Sequence, residues 1–445
     1  MSSLFNSPKT YAVRDYLLRI TTVFILLLSI PLQFDYYNLL FTTSWKYFLI
    51  DLYNLVTYLP HYFDKTSTIL DWVIYLAISI VIAVIWKWKQ QTINLDKYYY
   101  YLRIFARYKL ASILLVAGFL KLFPLYVPEL SLSHLNTGYG YFQHWKHLLL
   151  SLSAAPAYLV FLGIVELIAA LFLLFRKTSF LGVIFIIPFY GNVFLADLAY
   201  EGDNFLVSIF IILLTLPVFF YDLGRLGNLI VNKILTNPTS WKFDWNISKW
   251  KKHRLILKSL FVFVFIILVG YKGYSTYANK QNLFYPEQNG INGITGKFFV
   301  KDFILNGDTI SYSDSNTNRW KDVVFEKWNT LSIRINDSIK VEEQHSSFWQ
   351  RQDSLKDYEY TLVGDRLYYT VQLDSSKSIV TLKNRNTKYT DSYKFQFTQP
   401  DSSSVLLSGK NDSGDSLKVF LVNANKKYLL EEVKKTGRRR LGYKL

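Results

Sequence analysis

Between residues 109 and 226 the chain holds four apolar runs, near 111–127, 158–175, 180–198 and 205–221. Each is close to the roughly 20 residues that a helix needs to cross a bilayer. No other feature constrains the fold as tightly. In lipid every backbone polar group must find an internal partner, so such runs become helices packed on one another. Lys121, Glu166, Asn192 and Asp197 sit inside these runs. An ionisable side chain in a membrane helix is expensive, which points to pairing or function.

Further apolar segments flank this stretch. Residues 17–32 read as helix 1, with Lys9, Arg14 and Arg19 around its start. The run is too aromatic at its exit for a cleaved signal peptide, and no small-residue cleavage site follows. Residues 34–64 are aromatic and interrupted by Lys46, Asp51 and Asn54. They read as an amphipathic segment lying in the membrane interface, with a spanning helix as the alternative. Residues 69–86 form helix 2, and 259–271 form helix 7. The 34 Tyr and 11 Trp suit a membrane protein, which uses these rings as interfacial anchors.

Charge orients the spans. Through Thr276 there are 24 Lys and Arg against 13 Asp and Glu, and from Tyr277 onward 26 against 20. With the N-terminus in the cytoplasm, 19 of those 24 basic residues fall on the inner side; Lys46, Lys65, Lys121, Lys146 and Lys272 do not. The positive-inside rule therefore selects about seven spans with the N-terminus inside. An odd number puts the C-terminal domain outside, in the setting of a bacterial inner membrane. Of the net charge of +17, +11 falls before Tyr277, mostly in short segments between apolar runs, which argues for membrane topology and against a nucleic-acid partner.

From Tyr277 the long apolar runs stop. Short alternating stretches replace them: GKFFVKDFIL, DVVFEKW, TLSIRI, YEYTLV, RLYYTVQL, SIVTL, YKFQF, SVLLSG and SLKVFLV. Turn residues separate them, including Asn306-Gly307-Asp308 and Gly364-Asp365. The pattern predicts an antiparallel meander closing into a small barrel or sandwich. Arg319-Trp320 and Trp328 suggest a lipocalin-like closure in which an arginine stacks on a tryptophan. The run Arg438, Arg439, Arg440 reads as a solvated end. The fold class is thus an α-helical membrane bundle of about seven helices plus a C-terminal antiparallel β domain. Its segments are 1–108 (hairpin, interfacial stretch and basic linker), 109–230 (four-helix bundle), 231–276 (basic segment and seventh helix) and 277–445 (β domain).

The stretches YKLASILLVAGFLKLFP, FLGIVELIAALFLLFRKTSFLGVIFI and FLVSIFIILLTLPVFFYDLGRL carry a resemblance. With 118–124 (GFLKLFP), 163–166 (GIVE), the turn Arg176-Lys177-Thr178 followed by Leu181-Gly182, and Asp222, residues 108–230 resemble the DoxX family of small four-helix membrane proteins. The resemblance implies a four-helix bundle. It also implies an association with quinone-coupled oxidation or with membrane redox complexes. The chain departs from the redox-linked pattern in having no cysteine and no haem-ligand motif.

Several residues are candidates for a ligand site. Glu166 lies roughly 12 Å along its helix from Tyr158. Gly163, Ala169 and Ala170 share its face and allow close helix approach. It is either a proton-handling or headgroup-binding acid, or a structural hydrogen bond that locks the bundle. Lys121 either snorkels to the outer interface or reaches Glu166. Tyr190, Asn192 and Asp197 follow Pro188, whose ring frees a backbone carbonyl, so they could line a cavity with Lys121 and Glu166. Asp197, like Glu201 and Asp203, could also simply face water. The loop between the runs at 111–127 and 158–175 holds His134, Tyr139, Tyr141, Gln143, His144 and His147. His144 and His147 have no adjacent third ligand, so no metal site is assigned.

No residue is assigned to catalysis. Absence of cysteine removes thiol nucleophiles and disulfides, and no triad, phosphate loop or carboxylate dyad stands out. Three readings remain open. The first is a DoxX-like subunit, quinone- or redox-associated, whose β domain binds an envelope partner or ligand. The second is a non-catalytic membrane scaffold. The third is a membrane enzyme using Glu166 and Lys121 at the outer mouth of the bundle.

Overall fold

The computed structural model describes residues 8–64, 66–202, 205–233, 248–343 and 349–437. Lys65, Asp203, His345, Arg438, Arg439 and Arg440 lie outside the described residues. Two compact units emerge, and they do not follow the linear order of the chain. One comprises Met1–Tyr126 and Ala157–Lys280; the other comprises Val127–Pro156 and Gln281–Leu445. The connection at 127–156, which the linear segmentation keeps with the helices, is thus compact with the strands.

The first unit is helical. It contains α1 (Pro8–Ser29), α2 (Phe34–Phe41), α3 (Phe48–Val56), α4 (Ile69–Lys89) and α5 (Leu95–Leu122). After the excursion into the other unit, made by α6 (Leu132–Leu135) and α7 (His144–Ala154), it resumes with α8 (Pro156–Leu174), α9 (Ser179–Ala199) and α10 (Phe205–Ile230). It closes with α11 (Ser248–Val262), a π-helical turn (Phe263–Leu268) and α12 (Val269–Ala278).

Among the described residues, five helices are long and apolar enough to cross a membrane: Ile69–Lys89, Pro156–Leu174, Ser179–Ala199, Phe205–Leu223 and Lys252–Ala278. A sixth is counted if Tyr11–Ser29 and Phe34–Phe41, bent by 52°, form one broken span. These helices mark a membrane protein. The expected third span belongs to α5, which is 28 residues long but carries Asp96, Lys97, Arg103, Arg107, Lys109 and Lys121. The stretch at 34–64 forms two helices of 8 and 9 residues, each too short to span alone.

The basic linker expected before the bundle is largely helical, because α5 begins at Leu95. Its arginines are structural. Arg107 donates to the carbonyl of Leu173 from Nε (2.9 Å) and Nη2 (2.6 Å), satisfying the C-terminal end of α8. Arg103 stacks its guanidinium 3.5 Å from the Tyr221 ring centre of α10. A buried ion cluster joins α1 to α4: Arg19 meets Asp15 at 2.6 Å, Lys87 pairs with the same carboxylate, and Arg19 donates to Gln90. The start of α4 is fixed by a capping box between Thr68 and Asp71.

Glycine sets the helix spacing around α8. A Cβ on Gly163 would lie 2.6 Å from the Leu122 nitrogen and 2.7 Å from the Gly118 carbonyl, so α5 and α8 touch backbone to backbone.

The second unit is built on nine strands: β1 (Gly296–Leu305), β2 (Asp308–Thr309), β3 (Trp320–Phe325), β4 (Thr330–Ile335), β5 (Arg366–Asp374), β6 (Ile379–Asn384), β7 (Ser392–Asp401), β8 (Ser404–Asn411) and β9 (Ser416–Asn423). All pairings are antiparallel, in the order β2-β1-β3-β4-β5-β6-β7-β8-β9, and β1 also pairs with β9. The eight longer strands therefore close a barrel, and β2 extends the β1 hairpin. That hairpin turns at Asn306 and Gly307, both with positive φ, as the predicted turn requires.

The barrel interior is filled by one apolar cluster that includes Phe298, Phe303, Trp320, Phe325, Leu331, Phe395 and Leu421. Arg319 is buried and donates to the carbonyls of Ile310, Trp320 and Val300. Its cation–π contact is with Tyr312, at 5.5 Å, and not with a tryptophan as the lipocalin-like pattern suggested. Trp320 instead packs inside the barrel against Phe303, Tyr393 and Phe395.

One predicted strand is not a strand. Residues 358–363 (YEYTLV) are turns and one isolated bridge, from Phe142 to Val363. Part of their backbone pairs with the α6–α7 segment and not with a neighbouring strand. Gln143 donates to the Leu362 carbonyl at 3.1 Å, and Gly364 donates to the Tyr141 carbonyl at 2.9 Å.

Replacing Gly163 with alanine should force α5 and α8 apart and lower stability by about 1–3 kcal/mol. Gly191→Ala, where nothing lies within 4 Å of a new Cβ, should leave the melting temperature in detergent unchanged. Equal melting temperatures for both variants would contradict the close approach.

Candidate functional site

Each unit holds a buried polar centre. In the helical unit the centre joins α5, α8 and α9. Lys121 Nζ lies 2.6 Å from Glu166 Oε1. The Tyr190 hydroxyl donates to the same oxygen at 2.7 Å. All three residues are buried. Lys121 also sits 4.7 Å from the Tyr126 ring centre and 5.8 Å from that of Phe189.

Glu166 Oε2 is buried and has no hydrogen-bond partner among the described residues. Lys121 carries three donors, one of which goes to Glu166. The centre thus presents one open acceptor beside a cation with donors in reserve.

The structure brings together Lys121, Glu166 and Tyr190, but not the remaining sequence candidates. Asn192 points outward and is exposed, so the anticipated cavity of Lys121, Glu166 and Asn192 does not form. At helical spacing, two residues along from Tyr190 is the opposite face, which is why both cannot line one centre. Asp197 is buried and accepts from Ser208 of α10 at 3.1 Å, so it does not face water.

The second centre lies in the barrel unit, on the outer face of β3, β4 and β5. Alternation points Asp322, Glu326, Ser332, Arg334, Arg366 and Tyr368 outward, where water would normally meet them. Most are instead buried, because the α6–α7 segment and residues 349–363 cover them. Glu326 accepts from the Ser133 backbone (2.6 Å), the Ser133 hydroxyl (2.7 Å) and the Leu132 backbone (3.2 Å). Ser133 and Ser332 share a hydroxyl contact at 2.8 Å, and Arg366 donates to Ser332 and to Asp322.

Beside this seam, Lys146 of α7 donates to the Tyr358 carbonyl and lies 3.7 Å from its ring centre. His134 Nε2 meets the Glu359 carbonyl at 3.0 Å, and the Glu359 carboxylate accepts from the Trp328 indole at 3.0 Å. Burial decides the charge states here. It pushes Glu359 up to about 8, helped by the neighbouring Glu326, whose own carboxyl is also raised by burial. It pushes Lys146 down to about 7 and His134 well below its ordinary range, where Lys146 adds to the effect.

Of the loop candidates, His134 is thus buried in this seam. His144 is exposed, and His147 stacks 4.0 Å from Tyr139. Among the described residues no group of three His, Asp or Glu is placed to hold a metal ion.

Sequence reasoning did not single out Ser133, Lys146, Glu326, Glu359 or Arg366. For Glu326 and Arg366 the one visible signal is charge at outward positions of the strand pattern, which an exposed sheet face shares; Ser133, Lys146 and Glu359 lie in helices and a turn and carry no such signal. No family model, curated protein or solved structure matches this chain.

Glu359 carries a pH signature. Its folded value is raised above the ordinary 4.5, so the stability it contributes is fully present below about 4.5 and is lost as pH rises through about 8. Lys146 acts in the opposite sense across the window from 7 to 10.5, and His134 opposes below 6.5. The test is therefore a difference. Native stability minus that of Glu359→Gln, from tryptophan-detected unfolding, should fall between pH 5 and 8 with a slope approaching about 1.4 kcal/mol per pH unit. A flat difference curve would show that Glu359 is ionised in the fold.

Proposed function

We propose that the chain is an integral membrane protein similar to the DoxX-type four-helix proteins, with a headgroup site at Lys121, Glu166 and Tyr190. The class of ligand is an amphiphile with a small polar head, a quinone being the member the resemblance favours. The observation that carries this reading is Glu166 Oε2, a buried carboxylate oxygen without a partner among the described residues, next to a lysine with donors in reserve. An orphaned buried acceptor is costly unless something completes it. A quinone carbonyl suits the lysine donors, and the hydroxyl of the reduced form suits the open carboxylate oxygen.

A second reading has its own support. Gly118 and Gly163 bring α5 and α8 into backbone contact one turn from the ion pair. On that reading Lys121 and Glu166 lock a scaffold. The enzyme reading, with the same two residues as acid and base, has no further group to support it.

Glu166→Gln separates the first two. The native chain, purified in its own lipid, should carry a stoichiometric quinone by mass spectrometry. The variant should lose it at an unchanged melting temperature. A native chain without ligand, together with a large loss of stability in the variant, would favour the scaffold.

The topology we infer has seven spans: α1, α4, α5, α8, α9, α10 and the continuous α11–α12. Parity supports it. Val127–Pro156 belongs to the barrel's compact unit, and four candidate spans lie between that segment and Gln281. An even number of crossings returns the chain to the side it left. The positive-inside count then sets the N-terminus in the cytoplasm and the barrel outside the inner membrane. With its interior filled by side chains, the barrel would meet an envelope partner through its outer surface. Protease added from the extracytoplasmic side should digest the barrel in membrane vesicles while sparing the helices. A fully protected barrel would exclude this orientation.

A further inference from the structure

A groove of about 440 Å³ runs along the helical unit between α5 and the α11–α12 helix, distinct from the Lys121 centre. Tyr101, Ile104, Phe105, Tyr108, Phe261 and Phe265 form its apolar walls, and Lys109 and Ser112 complete them. Its far wall is unusual. Phe265 lies in the π-helical turn Phe263–Leu268, and such turns are rare and frequently mark functional sites. The aromatic wall is continuous, since Phe261 meets Phe265 at 4.7 Å and Tyr108 at 5.1 Å.

Lys109 is the one charged residue in this lining. It has no ion pair or side-chain hydrogen bond among the described residues. The Ser112 hydroxyl is turned onto the Lys109 backbone carbonyl, at 2.7 Å, and does not serve the ammonium. Further cations stand near. Lys258 is within electrostatic range of Arg254 and Arg107, and Tyr108 is within range of both arginines. Among the described residues neither Lys109 nor Lys258 has a carboxylate among its main electrostatic neighbours. An apolar trough with an unanswered lysine and further basic residues beside it is complementary to a molecule with an acyl chain and an anionic head. Basic pockets between membrane helices bind anionic lipid heads for this reason.

We infer that this groove is a binding site for an anionic membrane phospholipid, with an acyl chain along Phe105, Phe261 and Phe265 and the phosphate at Lys109. The lipid supplies a counter-charge that none of the described residues gives Lys109. A free phosphate would leave the aromatic trough uncovered, and a zwitterionic lipid would bring its own cation to the lysine.

Native mass spectrometry of the full chain tests this, after exchange into micelles doped with equal amounts of dioleoylphosphatidylglycerol and dioleoylphosphatidylcholine. The native chain should retain the anionic lipid about fivefold over the zwitterionic one, the scale of one lysine–lipid contact. Lys109→Gln should bring retention to parity, and Lys109→Arg should preserve the preference. Lys97→Gln, which removes an exposed cation from the start of α5, should leave it unchanged. Parity in the native chain would overturn the inference. So would an equal drop in the Lys97 and Lys109 variants, the mark of diffuse surface attraction. Should Lys109→Gln fail to fold, Phe265→Ala serves in its place, and undiminished retention there counts against the site. A quinone-free Glu166→Gln variant should keep the lipid preference intact, so this site and the Lys121 centre stand or fall separately.

Discussion

The architecture turns on one buried carboxylate. Glu326 leaves the end of β3 on the outer face of the barrel and is met by the backbone and hydroxyl of Ser133 and the backbone of Leu132. A buried acid without such donors would be strongly destabilising, and the donors come from nearly two hundred residues earlier in the chain. Around this contact Ser332, Arg366 and Asp322 continue the network, and Lys146 and His134 fasten α6 and α7 to residues 358 and 359. The connection between two apolar helices thereby becomes part of a soluble-type barrel unit. The burial of one barrel face and the fate of the YEYTLV stretch both follow from it.

Much of the fold was legible because its signals are local. Spans announce themselves by length and hydropathy, and eight of the nine alternating stretches lie in strands because alternation and turn residues act over a few residues. The exception is instructive. YEYTLV has the alternation of a strand, but its Leu362 carbonyl accepts from Gln143 of the inserted segment and its Leu362 backbone N–H donates to the Glu342 carbonyl. Alternation reports that two faces differ, not what each face meets. For the same reason Glu326 and Arg366 read as solvated charges. Burial by a distant segment leaves no local trace.

The membrane centre was legible in its ingredients and less so in its geometry. Lys121 and Glu166 stand out because charge is rare in apolar helices, and they do meet. Tyr190 completes the contact, whereas Asn192 faces away, a distinction fixed by the rotation of α9 about its axis. The arginines of α5 misled for a related reason. Charge counting treats Arg103 and Arg107 as loop markers, yet one stacks on Tyr221 and the other satisfies the Leu173 carbonyl near the end of α8. A cation near a membrane helix end can be topological and structural at once.

The interleaving of the two units also has a temporal side. During synthesis Val127–Pro156 leaves the ribosome more than two hundred residues before β5 is finished. At roughly 5–20 residues per second, that is a wait of about 10 to 40 s. Throughout it Ser133, His134 and Lys146 have no barrel to seat against, while the apolar helices after them are being inserted. The buried seam forms only when residues 326–366 arrive. A chain that stops short of the barrel strands would expose this segment as an unfinished surface, recognisable to the machinery that clears incomplete membrane proteins.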